Sequence, residues 1–231
     1  MQRQTFLGAA LALPSLAVGI APAAATETDD MMKNRKAKST VGVLLGGYSV
    51  FLDWAGPAEV FYSAGFNGRS DTDEYRVATI GKTDAPVTLQ VLGSYRPQYS
   101  IATAPALDVL IIPGSDMDDL PKDPATVRWV KEKLASGTTV LTVCTGALIA
   151  AHMGLLEGLR VTTSRGALKV LAKAVPSAQI VSDQLFADNG SIVTAAGTAT
   201  GIDAALHIIE RRFGKQRALD EREYLEYKWP A

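Results

Sequence analysis

Three short runs of mainly apolar and β-branched residues place the strongest constraint on how this chain can fold. They are residues 40–45, 107–112 and 138–143; the first stops at Gly46-Gly47 and the second at Pro113-Gly114. An apolar run without polar alternation is typical of a strand buried on both faces, as in a parallel sheet that helices cover on each side. Glycine and proline mark the ends of such runs. The chain is therefore predicted to be an α/β protein.

Helical patterns alternate with strands along the chain. Helices are predicted at residues 53–66, 124–136, 166–175 and 200–213, with a further one that begins at Thr145. The other strands are predicted at residues 74–80, 87–92, 181–186 and 191–194, the last two paired as a hairpin around Asp188-Asn189-Gly190. This alternation predicts a mostly parallel sheet in a single domain over residues 40–231.

The first residues read as an export signal. Arg3 is the only basic residue before an apolar stretch at 6–20, and three alanines at 23–25 follow. The stretch is shorter than the ~20 residues that span a membrane, so residues 1–25 are predicted to be a cleavable signal peptide. Residues 3–7 (RQTFL) resemble a degenerate twin-arginine signal, and the lack of a cysteine here argues against a lipid anchor. Periplasmic or secreted location follows, with residues 26–39 as a polar tether.

Composition excludes several classes of function. Lys and Arg total 23 against 24 for Asp and Glu, which leaves no basic excess to hold nucleic acid. One cysteine forms no internal disulfide and, with two histidines, gives no metal site. No metal and no cofactor are expected, and the partner is predicted to be a small-molecule substrate.

The single cysteine, Cys144, stands where the third apolar run meets a helix. Ligands of parallel α/β sheets lie beyond the carboxyl ends of the strands, and a sharp turn there exposes a nucleophile. A helix N-terminus behind the sulfur is expected to favour the thiolate. The amides of Thr145 and Gly146 are placed to stabilise negative charge that develops on a substrate. The alternative is that Cys144 is a small buried apolar residue.

The proton partner of this cysteine is not obvious from spacing. His152 is two turns down the same helix, and His207 lies among apolar residues of the helix at 200–213, so neither is expected to act on the thiol. Asp53 has two interpretations: an N-cap of the helix that follows the first strand, or a carboxylic acid that gives and takes a proton beside the thiolate. Spacing alone favours the cap.

Several short motifs, taken in order, resemble the ThiJ/PfpI superfamily, which has the class I glutamine amidotransferase-like fold. They are residues 52–57 (LDWAGP), 108–114 (DVLIIPG), 143–147 (VCTGA), 154–158 (GLLEG), 162–163 (TT) and 201–203 (GID). The resemblance covers residues 40 to 227. It implies a flavodoxin-like three-layer sandwich with a nucleophile elbow, usually a homodimer, and it places an acid at Asp53 beside the elbow cysteine.

The same resemblance points to the isonitrile hydratase-like branch. Its matching functional residues are Cys144, Asp53 and Thr145, whereas protease-like members have histidine where this chain has Thr145. Two departures from the family pattern are expected to line the pocket: Ser115 stands in place of the second glycine of the usual Pro-Gly-Gly, and Ser164-Arg165 stands in place of the usual His-Trp. Arg165 could recruit an anionic group or could be a solvated loop charge. Gly114, Ser115, Gly146, Ser164 and Arg165 are the candidate substrate- or oxyanion-binding residues.

Three functions follow as expectations. The first is a cysteine-dependent lyase that hydrates an isonitrile, or a related C–N compound, to an N-substituted formamide. The second is a non-enzymatic small-molecule-binding module related to the sensor domains of transcription regulators. The third is a glyoxalase or stress-response protein, against which Asp53 argues weakly, because that branch typically has glutamate there.

Overall fold

The secondary structure alternates strands and helices as the apolar runs predict. The computed structural model describes residues 39–64 and 75–228. Its strands are β1 (Ser39–Leu45), β2 (Tyr75–Gly81), β3 (Val87–Leu89), β4 (Gly93–Tyr95), β5 (Tyr99–Ser100), β6 (Val109–Ile112), β7 (Thr139–Val143), β8 (Arg160–Val161), β9 (Gln179–Ile180), β10 (Phe186–Asp188) and β11 (Ile192–Ala195). Its helices are α1 (Phe51–Ala64), α2 (Pro124–Ala135), α3 (Gly146–His152), α4 (Leu168–Ala174), α5 (Thr200–Phe213) and α6 (Lys215–Tyr224), with short 3-10 helices at Leu120–Lys122 and Arg165–Ala167.

The central sheet is mostly parallel and reverses its strand order at β1. The order is β10-β11-β7-β6-β1-β2-β5, and the pair of β10 with β11 is its antiparallel one. The strand β1 pairs with β2 on one side and with β6 on the other. The chain therefore extends the sheet first on one side of β1 and then on its other side. Crevices beyond the carboxyl ends of the strands at such a reversal bind ligands in α/β sheets. The loops after β1, β6 and β7 meet there.

Side chains alternate between two cores along the buried strands, which explains the three layers. On β6, Val109 and Ile111 enter the core that includes residues of α1 and α5, whereas Leu110 and Ile112 enter the core that includes residues of α2, α3 and α4. All four are 0% exposed. Each apolar run therefore serves both faces of the sheet, and the predicted flavodoxin-like α/β sandwich is confirmed.

Two of the predicted strands are wrong in their bounds. The segment 87–92 is not one strand: β3 ends at Leu89, the chain turns, and β4 begins at Gly93 with φ +68° and pairs antiparallel with β3. The segment 181–186 contributes only Phe186 to β10, because residues 182–185 are exposed and carry no apolar alternation. The predicted hairpin partner is correct, since β10 pairs with β11.

The last helices also differ from the sequence prediction. The segment 166–175 divides into the 3-10 helix Arg165–Ala167 and α4. The helix α5 has the predicted bounds, but it is not the last, because α6 starts directly after Gly214. The helix α6 is mostly polar and buries only Ala218 and Glu221, so its sequence has no apolar stripe to detect.

The predicted export signal at residues 1–25 lies outside the described residues. The predicted tether at 26–39 lies outside them as well, except that Ser39 already belongs to β1. The described residues fall within one compact unit of the chain. Within these residues, every helix is too short or too polar to cross a membrane.

Candidate active site

Cys144 occupies a strained turn between β7 and α3. Its φ is +56°, in the left-handed region that residues other than glycine rarely adopt. Its N–H donates to the carbonyl oxygen of Ala195 at 3.1 Å, and the Thr163 hydroxyl donates to its carbonyl oxygen at 2.6 Å. Bonds on both sides hold the strained residue in place, which is the geometry of a nucleophile elbow at the end of a strand.

Gly146 allows this turn to pack against the neighbouring strand. A Cβ at Gly146 would lie 2.0 Å from the carbonyl oxygen of Ile112. No side-chain rotation relieves a clash with backbone, so only glycine fits. The sequence predicted Gly146 as a source of an oxyanion-binding amide; the structure gives it this packing role in addition.

Replacing Gly146 with alanine is expected to destabilise the protein by about 1–3 kcal/mol, because β6 and the elbow must move apart. Gly166→Ala is the matched control, since a Cβ at Gly166 meets nothing within 4 Å. Urea unfolding of both variants measures the difference. Equal free energies of unfolding would contradict the packing role.

Asp53 lies in the first turn of α1 and is 0% exposed. Its Oδ2 accepts a hydrogen bond from the Gly114 N–H at 3.0 Å, across the loop that follows β6. The helix begins at Phe51, two residues earlier, so the interpretation of Asp53 as the N-cap is wrong. The side chain instead faces the crevice at the ends of the strands, where its charge and that of Cys144 act on each other.

Gly114 closes the space between these groups. A Cβ there would lie 2.3 Å from Thr145 Oγ1 and 3.0 Å from Asp53 Oδ2. The backbone at position 114 therefore lies close to the Asp53 carboxyl group, and only a residue without a Cβ fits there. Because its amide donates to Asp53, Gly114 orients the acid and is not a free oxyanion donor in this structure.

Burial raises the pKa of Asp53 from 3.8 to about 7. The Gly114 amide and the Cys144 thiol favour the carboxylate and oppose this increase. Oδ1 is buried and has no hydrogen-bond partner, which agrees with an acid that is destabilised in its charged form. A carboxyl group with this pKa is populated in both protonation states near neutral pH and can both give and take a proton.

The pKa of Cys144 lies above its usual value, contrary to the thiolate that the helix N-terminus was expected to favour. Burial raises it first, and the negative charge of Asp53 raises it further. The Ser164 side chain and the amide and hydroxyl of Thr145 lower it by hydrogen bonding to the sulfur. When Asp53 is protonated its charge no longer opposes the thiolate, so moving one proton from sulfur to carboxyl produces the reactive pair.

The remaining candidate residues differ in how close they lie to Cys144. Ser164 is half-buried, and its side chain is one of the groups that lower the pKa of Cys144. Arg165 is exposed, and among the described residues it makes no ion pair. The Ser115 hydroxyl is buried and without a partner, and it lies 3.1 Å from where a Cβ on Gly46 would be, on the side of β1. The structure thus places Ser164 among the groups that act on the thiol and leaves Arg165 and Ser115 outside them.

The two histidines serve elsewhere. The Nδ1 of His152 is 2.7 Å from the carbonyl oxygen of Leu148, within α3. The Nε2 of His207 is 2.7 Å from Asp188 Oδ2, and its ring stacks on Phe186. Both lie outside the contacts of Cys144, as the sequence predicted.

Two site features were not assigned from the sequence. Thr163 was noted only as part of a motif, yet its hydroxyl holds the elbow carbonyl. Trp54, next to Asp53, packs with Cys144 against the same core, and its indole N–H is buried without a partner. The motif position was the only signal for either residue.

Other sites are separate from this crevice. Within the part of the chain that the structure describes, no group of three His, Cys, Asp or Glu side chains is arranged to hold a metal ion. A cleft of about 840 Å³ runs along α2 to His152 and Gly154. An apolar pocket of about 290 Å³ lies between α1, α5 and the end of α6.

The amino-acid sequence is similar to a known family and to several characterised proteins. The model of the DJ-1/PfpI family matches residues 39–211. Isonitrile hydratase of Pseudomonas putida is 30% identical over 190 residues, which cover 81% of this chain and 78% of that enzyme. The HTH-type transcriptional regulator GbdR of Pseudomonas aeruginosa is 26% identical over 184 residues, 80% of this chain and 49% of the regulator.

Solved structures share the fold. A ThiJ/PfpI family protein from Pseudomonas syringae has a TM-score of 0.70 at 21% identity, and the match covers 84% of this chain and 76% of that one. Drosophila melanogaster DJ-1beta has a TM-score of 0.71 at 18% identity, with 83% and 99% covered. At these identities the likeness concerns the arrangement of strands and helices alone.

Proposed function

The chain belongs to the DJ-1/PfpI family, and from that premise we propose that it is a cysteine-dependent enzyme that hydrates a small isonitrile to an N-substituted formamide. The observation that carries the proposal is the pair of Cys144 and Asp53 at the reversal of the sheet, with the carboxyl near half protonation at neutral pH. The similarity to isonitrile hydratase supports the choice of reaction.

In the first step the Cys144 thiolate attacks the terminal carbon of the isonitrile. The protonated Asp53 gives its proton to the same carbon, so that a C–S and a C–H bond form and the carbon–nitrogen bond order falls from three to two. The product is a thioimidate, R–N=CH–S–Cys144, beside an Asp53 carboxylate. Before the attack, the amide and the hydroxyl of Thr145 favour the thiolate form of Cys144.

In the second step water adds to the thioimidate carbon. Asp53 takes a proton from the water and passes it to the nitrogen, which leaves a tetrahedral carbon that bears OH, NHR and sulfur. Asp53 then accepts the hydroxyl proton while the C–S bond breaks. The formamide R–NH–CHO leaves, and the thiolate and the protonated carboxyl are both restored, so the sum is isonitrile plus water.

The test is formamide production by the reduced protein from a panel of alkyl and aryl isonitriles, followed by NMR of the formyl proton. Turnover of at least one isonitrile, in proportion to protein, is the expected result. No formamide from any of them overturns the proposed reaction. Lactate from methylglyoxal, assayed in parallel, would instead indicate the carbonyl-handling activity.

A second candidate function is ligand binding without turnover. The similarity to a transcription regulator over about half of that protein's length favours it, since a domain of this kind also occurs beside other domains. Saturable binding of an isonitrile by calorimetry, with no product after prolonged incubation, would support this function over the enzyme.

Export and dimerisation remain proposals from the sequence. The apolar stretch before residue 26 supports export to the periplasm or medium, which cell fractionation would test. Family resemblance supports a homodimer, and sedimentation would give about twice the 24.5 kDa of one chain, or less if the signal is removed.

A further inference from the structure

The motif Thr162-Thr163 takes no part in the proposed reaction, yet it connects the elbow to a neighbouring strand. Both residues are 1% exposed, and they directly follow β8. The Thr163 hydroxyl donates to the carbonyl oxygen of Cys144. The Thr162 N–H donates to Thr194 Oγ1, on β11, at 2.9 Å. Two adjacent residues therefore join the turn that bears the nucleophile to the strand beside β7.

These bonds close a ring that includes the whole backbone of Cys144. The Cys144 N–H donates to the carbonyl oxygen of Ala195, which follows Thr194 on β11. Residues 194–195 and residues 162–163 are neighbours in the chain, so three hydrogen bonds complete the ring. One ring thus fixes both the N–H and the C=O of a residue whose φ is +56°.

Fixing the carbonyl of Cys144 also fixes the direction of the Thr145 N–H. The two belong to one planar trans peptide, in which C=O and N–H point in opposite directions. The bond from Thr163 therefore turns the Thr145 N–H away from Thr163. The position of a Cβ on Gly114 would be 3.4 Å from the Thr145 nitrogen and 3.0 Å from Asp53 Oδ2. The nitrogen of this peptide thus lies at the crevice, on the side of the acid.

The backbone makes no use of the Thr145 N–H. Thr145 precedes α3, and within the residues that the structure describes no oxygen accepts its N–H. The same amide is among the groups that lower the pKa of Cys144. A donor of this kind stabilises negative charge best when its direction is set before the reaction.

We propose that Thr163 is a positioning residue: through the ring that Thr162 and Thr194 complete, its hydroxyl orients the Thr145 N–H into the crevice, where the N–H stabilises negative charge on the reacting atoms. The inference rests on the proposed function only for the reaction that this amide assists. Its consequence is that the reactivity of Cys144 depends on a hydroxyl bound to the backbone of the elbow.

Alkylation by iodoacetamide between pH 5 and 10 tests the proposal without any isonitrile. Cys144 is the only cysteine of the 231 residues, so the mass increase reports this sulfur alone. In Thr163→Val, which keeps the shape of the side chain but has no donor, the alkylation profile should move to higher pH. The rate at pH 7 should fall about tenfold, as for loss of a hydrogen bond to a charged group. Thr163→Ser keeps the donor and should retain the profile of the unaltered protein, as should the control Thr88→Val at an exposed position of β3.

Thr194→Val tests the ring itself. It removes the acceptor of the Thr162 N–H and leaves Thr163 unaltered, so its profile should move in the same direction as that of Thr163→Val. Because both substitutions open one ring, the double variant should react no more slowly than Thr163→Val alone. Independent effects would instead multiply.

Coincident profiles for Thr163→Val and Thr163→Ser would overturn the proposal. A Thr163→Val protein that unfolds at lower temperature but keeps the profile of the unaltered protein would overturn it too, since the role of Thr163 would then be structural alone. If Thr163→Val fails to fold, an unshifted profile for Thr194→Val has the same consequence. A shift in the valine variants, together with no formamide from the unaltered protein, would reject the proposed reaction and leave the role of Thr163 intact.

Discussion

Replacing Cys144 with alanine is expected to abolish formamide production, with kcat falling more than about 10³-fold, because no other group can form the covalent intermediate. The bonds that hold the elbow come from backbone atoms of Cys144, so they persist in the variant. The thermal midpoint should therefore change little. Product formation and thermal unfolding are measured on the same preparation.

Cys144→Ser is the companion variant for this measurement. Serine keeps the size of the nucleophile but holds its proton far more tightly than a thiol does, so it should also be inactive. Formamide production by either variant at a rate near that of the unaltered protein would exclude covalent catalysis by sulfur. Catalysis by Asp53 and water alone would then be the remaining mechanism.

Replacing Asp53 with asparagine is expected to lower kcat/KM by about 10²–10⁴-fold, the usual contribution of a general acid–base group. The amide keeps an oxygen for the Gly114 N–H but cannot give or take a proton at neutral pH. Asp53→Glu, which retains a carboxyl group one methylene further out, should recover part of the activity. Full activity in the asparagine variant would remove Asp53 from the mechanism.

The Asp53→Asn variant is expected to lose activity but to gain stability at alkaline pH. The pKa of Asp53 is about 7 in the folded protein and near 3.8 in the unfolded chain. The folded state therefore binds the carboxyl proton more tightly than the unfolded state does. The contribution of Asp53 to stability is therefore fully present below about pH 4 and is lost as pH rises towards 7. Asp53→Asn should raise the thermal midpoint at pH 8, relative to the unaltered protein, by more than it does at pH 4. A lower midpoint at pH 8 would contradict this account.

The buried strands and the elbow could be predicted because their signals are local. Residues 40–45 and 138–143 have apolar side chains on both faces, and the glycine at position 146 follows Cys144 at the spacing that a sharp turn needs. Such features depend on neighbouring residues in the sequence. The short strands β5, β8 and β9 depend instead on pairing with distant segments, so a run of two residues gives no pattern.

The chemistry of the site was less accessible, because it depends on burial. Spacing favoured Asp53 as an N-cap, and only the approach of Gly114 across the sheet makes it an acid in the crevice. The helix N-terminus behind Cys144 suggested a stabilised thiolate, whereas burial and the charge of Asp53 outweigh it. The resemblance to a family predicted Asp53 and Cys144 as neighbours, which local sequence could not do.

The two outermost strands of the sheet have a consequence for aggregation. The sheet ends in β5 on one side and β10 on the other, two and three residues long respectively. The unpaired backbone groups of an edge strand can pair with another chain, and a short edge strand has few of them. On β10, Asp188 also forms an ion pair with Arg211. Within the described residues, the central sheet therefore offers little edge for fibril-like stacking, and prolonged storage should be limited by partial unfolding that exposes its longer inner strands.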